Sequence, residues 1–440
     1  EDEEGNTDYC KTVIIVQDNQ DVCPNTGSAK GRISGEFKTE DNQGTELVAL
    51  GIYDPNTMMR QIITGQDGKY LFGDLKPNTY SITPDRNDNP LNGVSTKDIV
   101  KIQRHILGIE TLNSGYKMIA ADVNNSAAIT ASDVSEIRRL ILGVTSNFSK
   151  VKSWTFVPKS YVFGVNPFIA PRDSRLTITG VENFLEDFVA VKMGDVTTDA
   201  RGHNVAGSSS RNNGKLHLEV DNNVTVAGEL YKVAFKSSDF TNIAGYQFTL
   251  KFDRQSLAFE GIEAGALNVD ESNFGTTQVS NGILTTSWDS KVAQSVDANA
   301  TLFTVVFRAS SQSNIGSLLA ITSDVTTAEA YDAQLSTKDI SLGVRTEKGV
   351  VESGVFELYQ NSPNPFAKET VISYRLPQAG AAKLSIYDVT GKVLRVFELN
   401  GVKGMNTVKV QKSELNATGV LYYQLDAADH TATKRMVVIE

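Results

Sequence analysis

The sequence is poor in cysteine and histidine, has no long apolar run and carries no excess of positive charge. Only two of its 440 residues are Cys and four are His. No stretch reaches the about 18 consecutive apolar residues of a membrane-spanning helix, so we predict no transmembrane segment. The net charge of −10 argues against a surface for nucleic acid or anionic membranes, because both need clustered Lys and Arg.

The few histidines form no catalytic or zinc-binding pattern. His105, His203, His217 and His430 are scattered, and no HExxH, GxSxG or phosphate-loop motif is present. We therefore predict that the chain is not an enzyme. The alternative is a catalytic domain upstream of Glu1, for which this chain would be an accessory tail.

Length and apolar content predict several packed domains. A chain of 440 residues exceeds one ordinary core, and 40% hydrophobic residues suffice for packed domains. Glu1 is not followed by a leader, so either a signal peptide has been removed or, as we favour, the chain is the C-terminal part of a longer one. Cys10 and Cys23 either bridge each other or pair upstream. Residues 1–28 are expected to end an upstream domain and form a linker.

Residues 29–84 show short alternating strands separated by turns. Gly31–Phe37 and Glu46–Tyr53 alternate apolar and polar residues, and Asp67–Tyr70 reads as a hairpin turn entering a strand. The run from Asp67 to Tyr80 resembles carboxypeptidase-regulatory-like and collagen-adhesin B-type domains. The resemblance implies a small β-sandwich that serves as a spacer or adhesion module.

Two segments of helical period follow, and they are copies of one another. Ser95–Gly108 and Thr130–Gly143 each place apolar residues on one helix face and end in Leu-Gly, with glycine where a C-cap favours a left-handed residue.

The loop ahead of the second helix has the oxygen spacing of a calcium loop. Numbered from Asp122, oxygen side chains fall at positions 1, 3, 5, 9 and 12, and the carbonyl at position 7 adds a ligand. Ca²⁺ takes about six to eight oxygens, which a loop closing on a helix supplies at this spacing. The alternative is that Asp98 and Asp133 only cap their helices. The predicted ligands are Asp122, Asn124, Ser126, the carbonyl of Ala128, Thr130 and Asp133.

Residues 85–145 resemble a dockerin module, because the helices repeat and the loop closes on Asp133. Position 6 is Ala127, where EF-hand loops prefer glycine. The resemblance implies a first calcium loop, which is irregular unless two residues are inserted, and which either holds an ion or is empty. Asp195 and Asp199 could add a ligand or form a surface turn. The first loop would use Asp85, Asn87, Asn89, Ser95 and Asp98, and protein contacts would involve Thr96, Lys97, Ala131 and Ser132.

Residues 214–345, after a linker at 201–213, have a long alternating β pattern. Gly245–Asp253, Gly282–Trp288 and Leu302–Phe307 follow the motif order of a cohesin, and this region resembles that family; alternation alone would predict only a β-sandwich. The resemblance implies a jelly roll that binds a dockerin through one sheet face. The dockerin-like and cohesin-like regions could dock within one chain or between chains.

Residues 357–440, after a linker at 346–356, resemble the type A C-terminal sorting domain of the Bacteroidota type IX secretion system. Leu358–Phe366, Thr370–Pro377 and Leu384–Lys392 carry the resemblance; the alternative is an ordinary Ig-like terminal domain. The resemblance implies an Ig-like sandwich that the outer-membrane translocon reads, and a secreted or cell-surface location. The implied sorting signal comprises Pro363, Asn364, Pro365, Phe366, Gly391, Lys434 and Arg435.

Together these patterns predict a mainly β chain: tandem β-sandwich (Ig-like and jelly-roll) domains with one small α-helical, dockerin-like calcium-binding insert within residues 85–200. We expect a secreted cell-surface structural, adhesion or assembly protein, stiffened by Ca²⁺ and exported by the type IX secretion system. The alternatives are the accessory and sorting portion of a large secreted glycosidase or peptidase, and a subunit of a self-assembling polymer.

Overall fold

A computed structural model of the chain is mainly β, with 48% strand and 12% helix, which confirms the predicted class. The predicted N-terminal strand, Cys10 and Cys23 lie outside the described residues. The structure describes residues 30–54, 57–179, 183–203, 214–346, 349–352, 356–376, 379–389, 391–402, 404–427 and 430–439.

The first strands along the chain lie where the sequence alternates apolar and polar residues. Side chains of Gly31–Thr39 alternate between buried and more exposed, as expected when successive residues face opposite sides of a sheet. The turn before the fourth strand uses the Asp67 carboxylate, which accepts the Lys69 N–H at 3.1 Å. The strands are β1 (Gly31–Thr39), β2 (Ala49–Asp54), β3 (Thr57–Ile63), β4 (Lys69–Leu75) and β5 (Asn78–Asp85).

Three helices follow, and capping boxes start the two long ones. Ser95 and Asp98 form the box of the first, and Thr130 and Asp133 that of the third, which satisfies backbone N–H groups that a helix start leaves unpaired. Their buried apolar faces, including Ile99 and Ile137, share one core. The helices are α1 (Thr96–Ile106), α2 (Gly115–Ala121) and α3 (Ala131–Ile141).

The strands that follow the helices return to the first sandwich. They are β6 (Trp154–Pro158), β7 (Ser174–Ile178), β8 (Asn183–Leu185) and β9 (Phe188–Lys192), with a 3-10 turn at Pro167–Ile169. One sheet has the order β4-β1-β9-β6, with β8 also on β1, and the other β3-β2-β5-β7. The helices are thus an insertion within one β-sandwich. This differs from the predicted boundary at residue 84, because the parallel pairing of β1 with β9 joins distant segments and leaves no mark on local alternation.

Residues 214–346 and 349–352 form a second sandwich around Trp288 and Phe303. Its elements are β10 (Lys215–Asp221), β11 (Leu230–Phe235), β12 (Ile243–Phe252), β13 (Leu257–Ala264), β14 (Phe274–Gly275), β15 (Ile283–Gln294), β16 (Phe303–Ala309), α4 (Ile315–Leu318), β17 (Leu319–Thr322), β18 (Glu329–Asp332), β19 (Thr337–Thr346) and β20 (Gly349–Glu352), with 3-10 turns at Glu271–Asn273 and Val279–Asn281. One sheet has the order β10-β19-β18-β12-β15-β14, with β17 on β12 and β20 on β19. The other is β11-β16-β13.

The C-terminal residues form a third sandwich, whose core includes Tyr423 and Leu384. Its strands are β21 (Glu357–Leu358), β22 (Glu369–Leu376), β23 (Gly380–Asp388), β24 (Val393–Gly401), β25 (Gly404–Gln411), β26 (Gly419–Ala427) and β27 (His430–Val438), with a 3-10 turn at Lys412–Glu414. The sheets are β21-β22-β25 and β24-β23-β26-β27.

Candidate functional site

The loop from Asp122 to Asp133, called the contiguous loop below, links α2 to α3 and turns both carboxylates inward. Asp122 ends α2 and Asp133 lies in the first turn of α3, and both are buried. The two oxygens of Asp122 accept the N–H groups of Ser126 and Ala127, each at 2.8 Å. The Asp133 carboxylate accepts the Thr130 N–H at 2.9 Å.

Asn124, at the third position of the contiguous loop, presents an acceptor that has no donor. Its N–H donates to Asp133 at 3.3 Å, but its side-chain Oδ1 is buried and has no hydrogen-bond partner among the described residues. A buried polar atom without a partner is unfavourable, and a cation is one way to satisfy an oxygen. The loop therefore brings predicted residues together and leaves one buried oxygen without a donor.

The backbone of this loop follows a tight path despite its alanine at position 6. Ala127 has φ 60° and Asn125 φ 55°, the left-handed region that glycine adopts most readily. The Ser126 hydroxyl donates to the Ala128 carbonyl at 3.1 Å, so the ligands predicted at positions 5 and 7 are neighbours. Burial raises the pKa of the Asp133 carboxyl, and the charge of Asp122 raises it further.

Asp98, the equivalent of Asp133 in the first repeat, is fully buried and faces a different partner from the one predicted. One oxygen accepts the Ser95 N–H at 2.9 Å. The other accepts the N–H groups of Val196 and Thr197 at 2.9 and 3.0 Å. A segment about 100 residues further along the chain thus completes this site.

The residues predicted to open the first loop have other partners in the structure. Asp85 ends β5 and pairs with Lys152 at 2.6 Å, the Asn87 Oδ1 accepts the Ser153 N–H at 2.9 Å, and Asn89 is exposed. The strand β5 continues in extended backbone to Asp85, so a loop can begin only after it. Ser95 and Asp98 do lie together as predicted.

The turn from Asp195 to Ala200 repeats the bonding of the contiguous loop. The two oxygens of Asp195 accept the N–H groups of Asp199 and Ala200 at 3.3 and 2.7 Å, as Asp122 does with residues four and five positions on. Thr198 has φ 63°, matching Asn125. The sequence analysis left two alternatives for Asp195 and Asp199, an added ligand or a surface turn. Asp195 is buried and faces Asp98, which does not fit an exposed surface turn.

The turn at 195–200 and the segment 93–98 meet end to end, and together they are called the split loop below. A Cβ placed on Gly93 would lie 2.3 Å from the backbone N of Ala200. The Asn92 side chain donates to the Arg201 carbonyl at 2.8 Å and accepts the Arg201 N–H at 3.1 Å. In space, Ala200 is followed by Gly93 as Ala127 is followed by Ala128.

Thr197 stands at the centre of the split loop. Its Oγ1 lies 2.8 Å from Asp98, 3.2 Å from Asp195 and 3.0 Å from Asp199, although a hydroxyl carries one hydrogen. Burial, and the charge that Asp98 and Asp195 place on each other, raise the pKa of Asp98. Within the described ranges no three His, Cys, Asp or Glu side chains form a metal-binding group by themselves, so a cation here would also need hydroxyl and carbonyl oxygens.

The N-terminal end of α1 contacts the sheet of the second sandwich. The N–H and Oγ1 of Thr96 donate to the Gln247 side chain on β12 at 2.7 and 2.9 Å, and Thr96 Oγ1 lies 2.7 Å from Ser287 Oγ on β15. Val100, one turn later, packs with Tyr331.

The C-terminal end of α3 contacts the same sheet. Thr285 and Thr326 donate their hydroxyls to the carbonyls of Leu142 and Ile141, each at 2.6 Å. Arg138 forms an ion pair with Asp289, whose side chain is 3% exposed. The last carbonyl groups of a helix have no partner within it, so these donors satisfy them.

Of the predicted protein-contact residues, only Thr96 is shown at this interface. Lys97 pairs with Asp199 at 3.0 Å, and Ala131 and Ser132 are exposed. Sequence reasoning missed Arg138; its place in the last turn of a repeated helix was the available signal.

The predicted sorting-signal residues occupy two parts of the third sandwich. Asn364 accepts the Val437 N–H at 2.7 Å, and the Phe366 N–H donates to the Val437 carbonyl at 3.0 Å, so the segment Pro363–Phe366 and Pro365 within it lie beside β27. Lys434 and Arg435 belong to β27. Gly391 forms the turn between β23 and β24, with φ 86°.

Models of known protein families match two of the three sandwiches. A model of the cohesin domain matches residues 190–350, and a model of the secretion system C-terminal sorting domain matches residues 362–439. The chain therefore contains a cohesin domain and a type IX secretion C-terminal sorting domain, both non-catalytic modules, and the protein is secreted or located at the cell surface. No helix in the described residues has the length and apolar character to span a membrane.

The solved structures that the chain matches include cohesins, and no curated protein matches the sequence. The sixth cohesin of scaffoldin B from Acetivibrio cellulolyticus, in complex with a Cel5 dockerin mutant, is 21% identical over 30% of this chain and 99% of its own, with a TM-score of 0.24. CaCohA2 from Clostridium acetobutylicum is 19% identical over 31% of this chain and 96% of its own, with a TM-score of 0.23.

Proposed function

We propose that the chain is a non-catalytic structural or adhesion protein of the cell surface, exported by the type IX secretion system, whose dockerin-like helices bind Ca²⁺ and are stiffened by it. The observation that carries the proposal is the unpartnered, buried Oδ1 of Asn124 inside a loop of inward-facing oxygens.

In the contiguous loop the proposed ligands are hard oxygens, as Ca²⁺ prefers. The carboxylates of Asp122 and Asp133 would supply the negative charge, and the Ala128 carbonyl a neutral ligand. Bound Ca²⁺ would also offset the electrostatic penalty of two buried carboxylates near one another. The remaining oxygens come from Asn124, Ser126 and Thr130.

In the split loop the corresponding positions belong to two segments. Three carboxylate oxygens crowd around one Thr197 hydroxyl, and a cation would relieve their mutual repulsion if that hydroxyl turned its lone pairs inward. The proposed ligands are Asp195, Thr197, Asp199, the Gly93 carbonyl, Ser95 and Asp98.

The position of the split loop between the first sandwich and the helices explains the proposed stiffening by Ca²⁺. Asp195 comes three residues after β9, a strand of the first sandwich, and Asp98 lies in α1. An ion that holds both would tie the sandwich to the helices, and α1 and α3 in turn contact the cohesin domain. The proposed role is therefore a calcium-rigid stalk segment.

Isothermal titration calorimetry of the metal-stripped full chain with CaCl₂ tests this proposal. We expect two binding events in the wild type and one in each of Asp122→Asn and Asp195→Asn. Asp253→Asn is a matched control, because this exposed carboxylate also caps a turn (Ser256 Oγ at 2.7 Å) but faces no ring of oxygens. Absence of heat in the wild type would refute the calcium proposal, and a single event abolished by Asp122→Asn alone would refute the split loop.

A further inference from the structure

The contact between the helices and the cohesin sheet is made mainly by polar groups. Gln247, Ser287, Thr285 and Thr326 are all buried and meet partners on α1 or α3. The apolar part is a small cluster, Val100, Ala244, Tyr331 and Leu335, whereas the core of the cohesin domain is extensive. Polar groups that find partners across a contact can return to water when it opens, so this surface has the character of a recognition interface and not of a shared core.

Two glycines let the helix ends approach the sheet closely. A Cβ on Gly275 would lie 2.4 Å from the Leu142 carbonyl oxygen, and one on Gly245 would lie 3.1 Å from Thr96 Cγ2. The sheet is therefore shaped to fit both ends of this helix pair.

The helix pair is docked in one of two orientations that its internal repeat could offer. Thr96 corresponds to Ala131 in the second repeat, and Gln103 to Arg138. A half-turn of the pair would bring Ala131, which has no hydroxyl, to Gln247, whereas Gln103, which also hydrogen-bonds Asp289, would only exchange places with Arg138. The observed orientation thus makes the hydrogen bonds of Thr96 that the reverse would lose.

We propose that this contact is an intramolecular latch: the cohesin face recognises the chain's own helix pair and is thereby closed to a second copy of the chain, whose helix pair is the partner that would fit when the latch opens. The latch rests on the helix–sheet contacts and not on calcium. It accounts for a cohesin domain and its complementary helices within one chain.

A charge-swap experiment on the full chain in calcium buffer tests the latch. Arg138→Asp faces Asp289, and Asp289→Arg faces Arg138, so each single variant should open, and hydrogen exchange of the α1 and α3 amides should rise about a hundredfold, as expected for a buried charge left without its partner. In an equimolar mixture, the aspartate introduced at position 138 of one chain meets the arginine introduced at position 289 of the other, and the wild-type pair forms at the second contact. We expect the mixture to form dimers in sedimentation velocity and each variant alone to stay monomeric.

Two controls separate the latch from general damage. The double variant R138D/D289R restores the pair within one chain and should be monomeric with wild-type exchange. Arg139→Asp changes the exposed neighbour and should change neither measurement. A mixture that stays monomeric, or single variants whose helices exchange as slowly as the wild type, would overturn the proposal. Repeating the mixture in chelator distinguishes it from the calcium proposal, because the latch predicts dimers there as well.

Discussion

The contiguous loop and the split loop bring similar oxygens together along different chain paths. In the first, Asp122 and Asp133 belong to one local segment that closes on a helix. In the second, Asp195 and Asp98 come from segments that only the strand β9 brings near α1. Their backbone bonding matches at the opening aspartate and at the residue three positions later, where Asn125 and Thr198 both have positive φ.

One local geometry can therefore be assembled with or without chain continuity. The two assemblies differ in which parts of the fold must form first. The contiguous loop needs only α2 and α3 to be formed. The split loop exists only when β1 and β9 are paired, because closing a long chain segment carries an entropy cost that its few contacts alone would not meet. Ion binding there should be coupled to folding of the whole first sandwich.

The largest expected effect is calcium removal, and it should differ between the loops. At calcium about a thousandfold above the dissociation constant, each ion contributes about 4 kcal/mol to the free energy of unfolding. Asp195→Asn should speed hydrogen exchange in β1 and β9, whereas Asp122→Asn should affect mainly the amides around α3. Exchange measured by mass spectrometry in calcium checks this, with chelator-treated wild type as the limit. Identical exchange maps for the two variants would abolish the distinction.

A second comparison concerns two glycines of similar φ. Gly93 (φ 75°) abuts Ala200, whereas a Cβ placed on Gly108 (φ 68°) would meet no atom within 4 Å. Gly108→Ala should lower the free energy of unfolding by about 1 kcal/mol through backbone strain alone. Gly93→Ala should cost about 3 kcal/mol, because the overlap with Ala200 is added. Urea unfolding of both variants decides; equal losses would mean that the two halves of the split loop do not abut.

The sequence allowed the contiguous loop to be predicted because every proposed ligand lies in one segment at a recognisable spacing. The β character, the sorting domain and the cohesin domain were predictable for the same reason, since alternation and motif order are local. The opening half of the split loop was not, because the residues before Asp98 offered Asp85 and Asn87 at an acceptable spacing, while the segment that hydrogen-bonds Asp98 follows β9. Spacing cannot reveal that a strand from a distant part of the chain returns to pair with β1.

Dependence on pH is a third comparison, between the calcium-bound and the metal-free chain. Burial raises the pKa of Asp98, Asp133 and Asp195 above 3.8 in the metal-free fold, so above 3.8 the folded state binds more protons than the unfolded state and its stability falls as pH rises. Bound Ca²⁺ would hold these carboxylates ionised and reverse the sign. The stability that calcium adds should therefore grow as the pH rises above 3.8, by up to about 1.4 kcal/mol in the free energy of unfolding per pH unit for each carboxylate that titrates. Scanning calorimetry measures it; the variant with both Asp122→Asn and Asp195→Asn should show little gain, and a gain in the wild type that shrinks with pH would contradict the expectation.

The smallest expected effect concerns glycine substitutions at the sixth position of each loop, Ala127 and Ala200. Ala127 has φ 60°, but Ala200 is not among the residues with positive φ and is buried against the first sandwich. Ala127→Gly should therefore raise the free energy of unfolding by about 1 kcal/mol, since glycine adopts this conformation without a steric penalty. Ala200→Gly should lower the free energy of unfolding by about 1 kcal/mol, because glycine gives the unfolded backbone more freedom and Ala200 has no positive φ whose strain glycine could relieve. Urea titrations in calcium compare the two. Changes of the same sign would show that the loops share a backbone path at this position, and the chain break in the split loop would then have no structural consequence there.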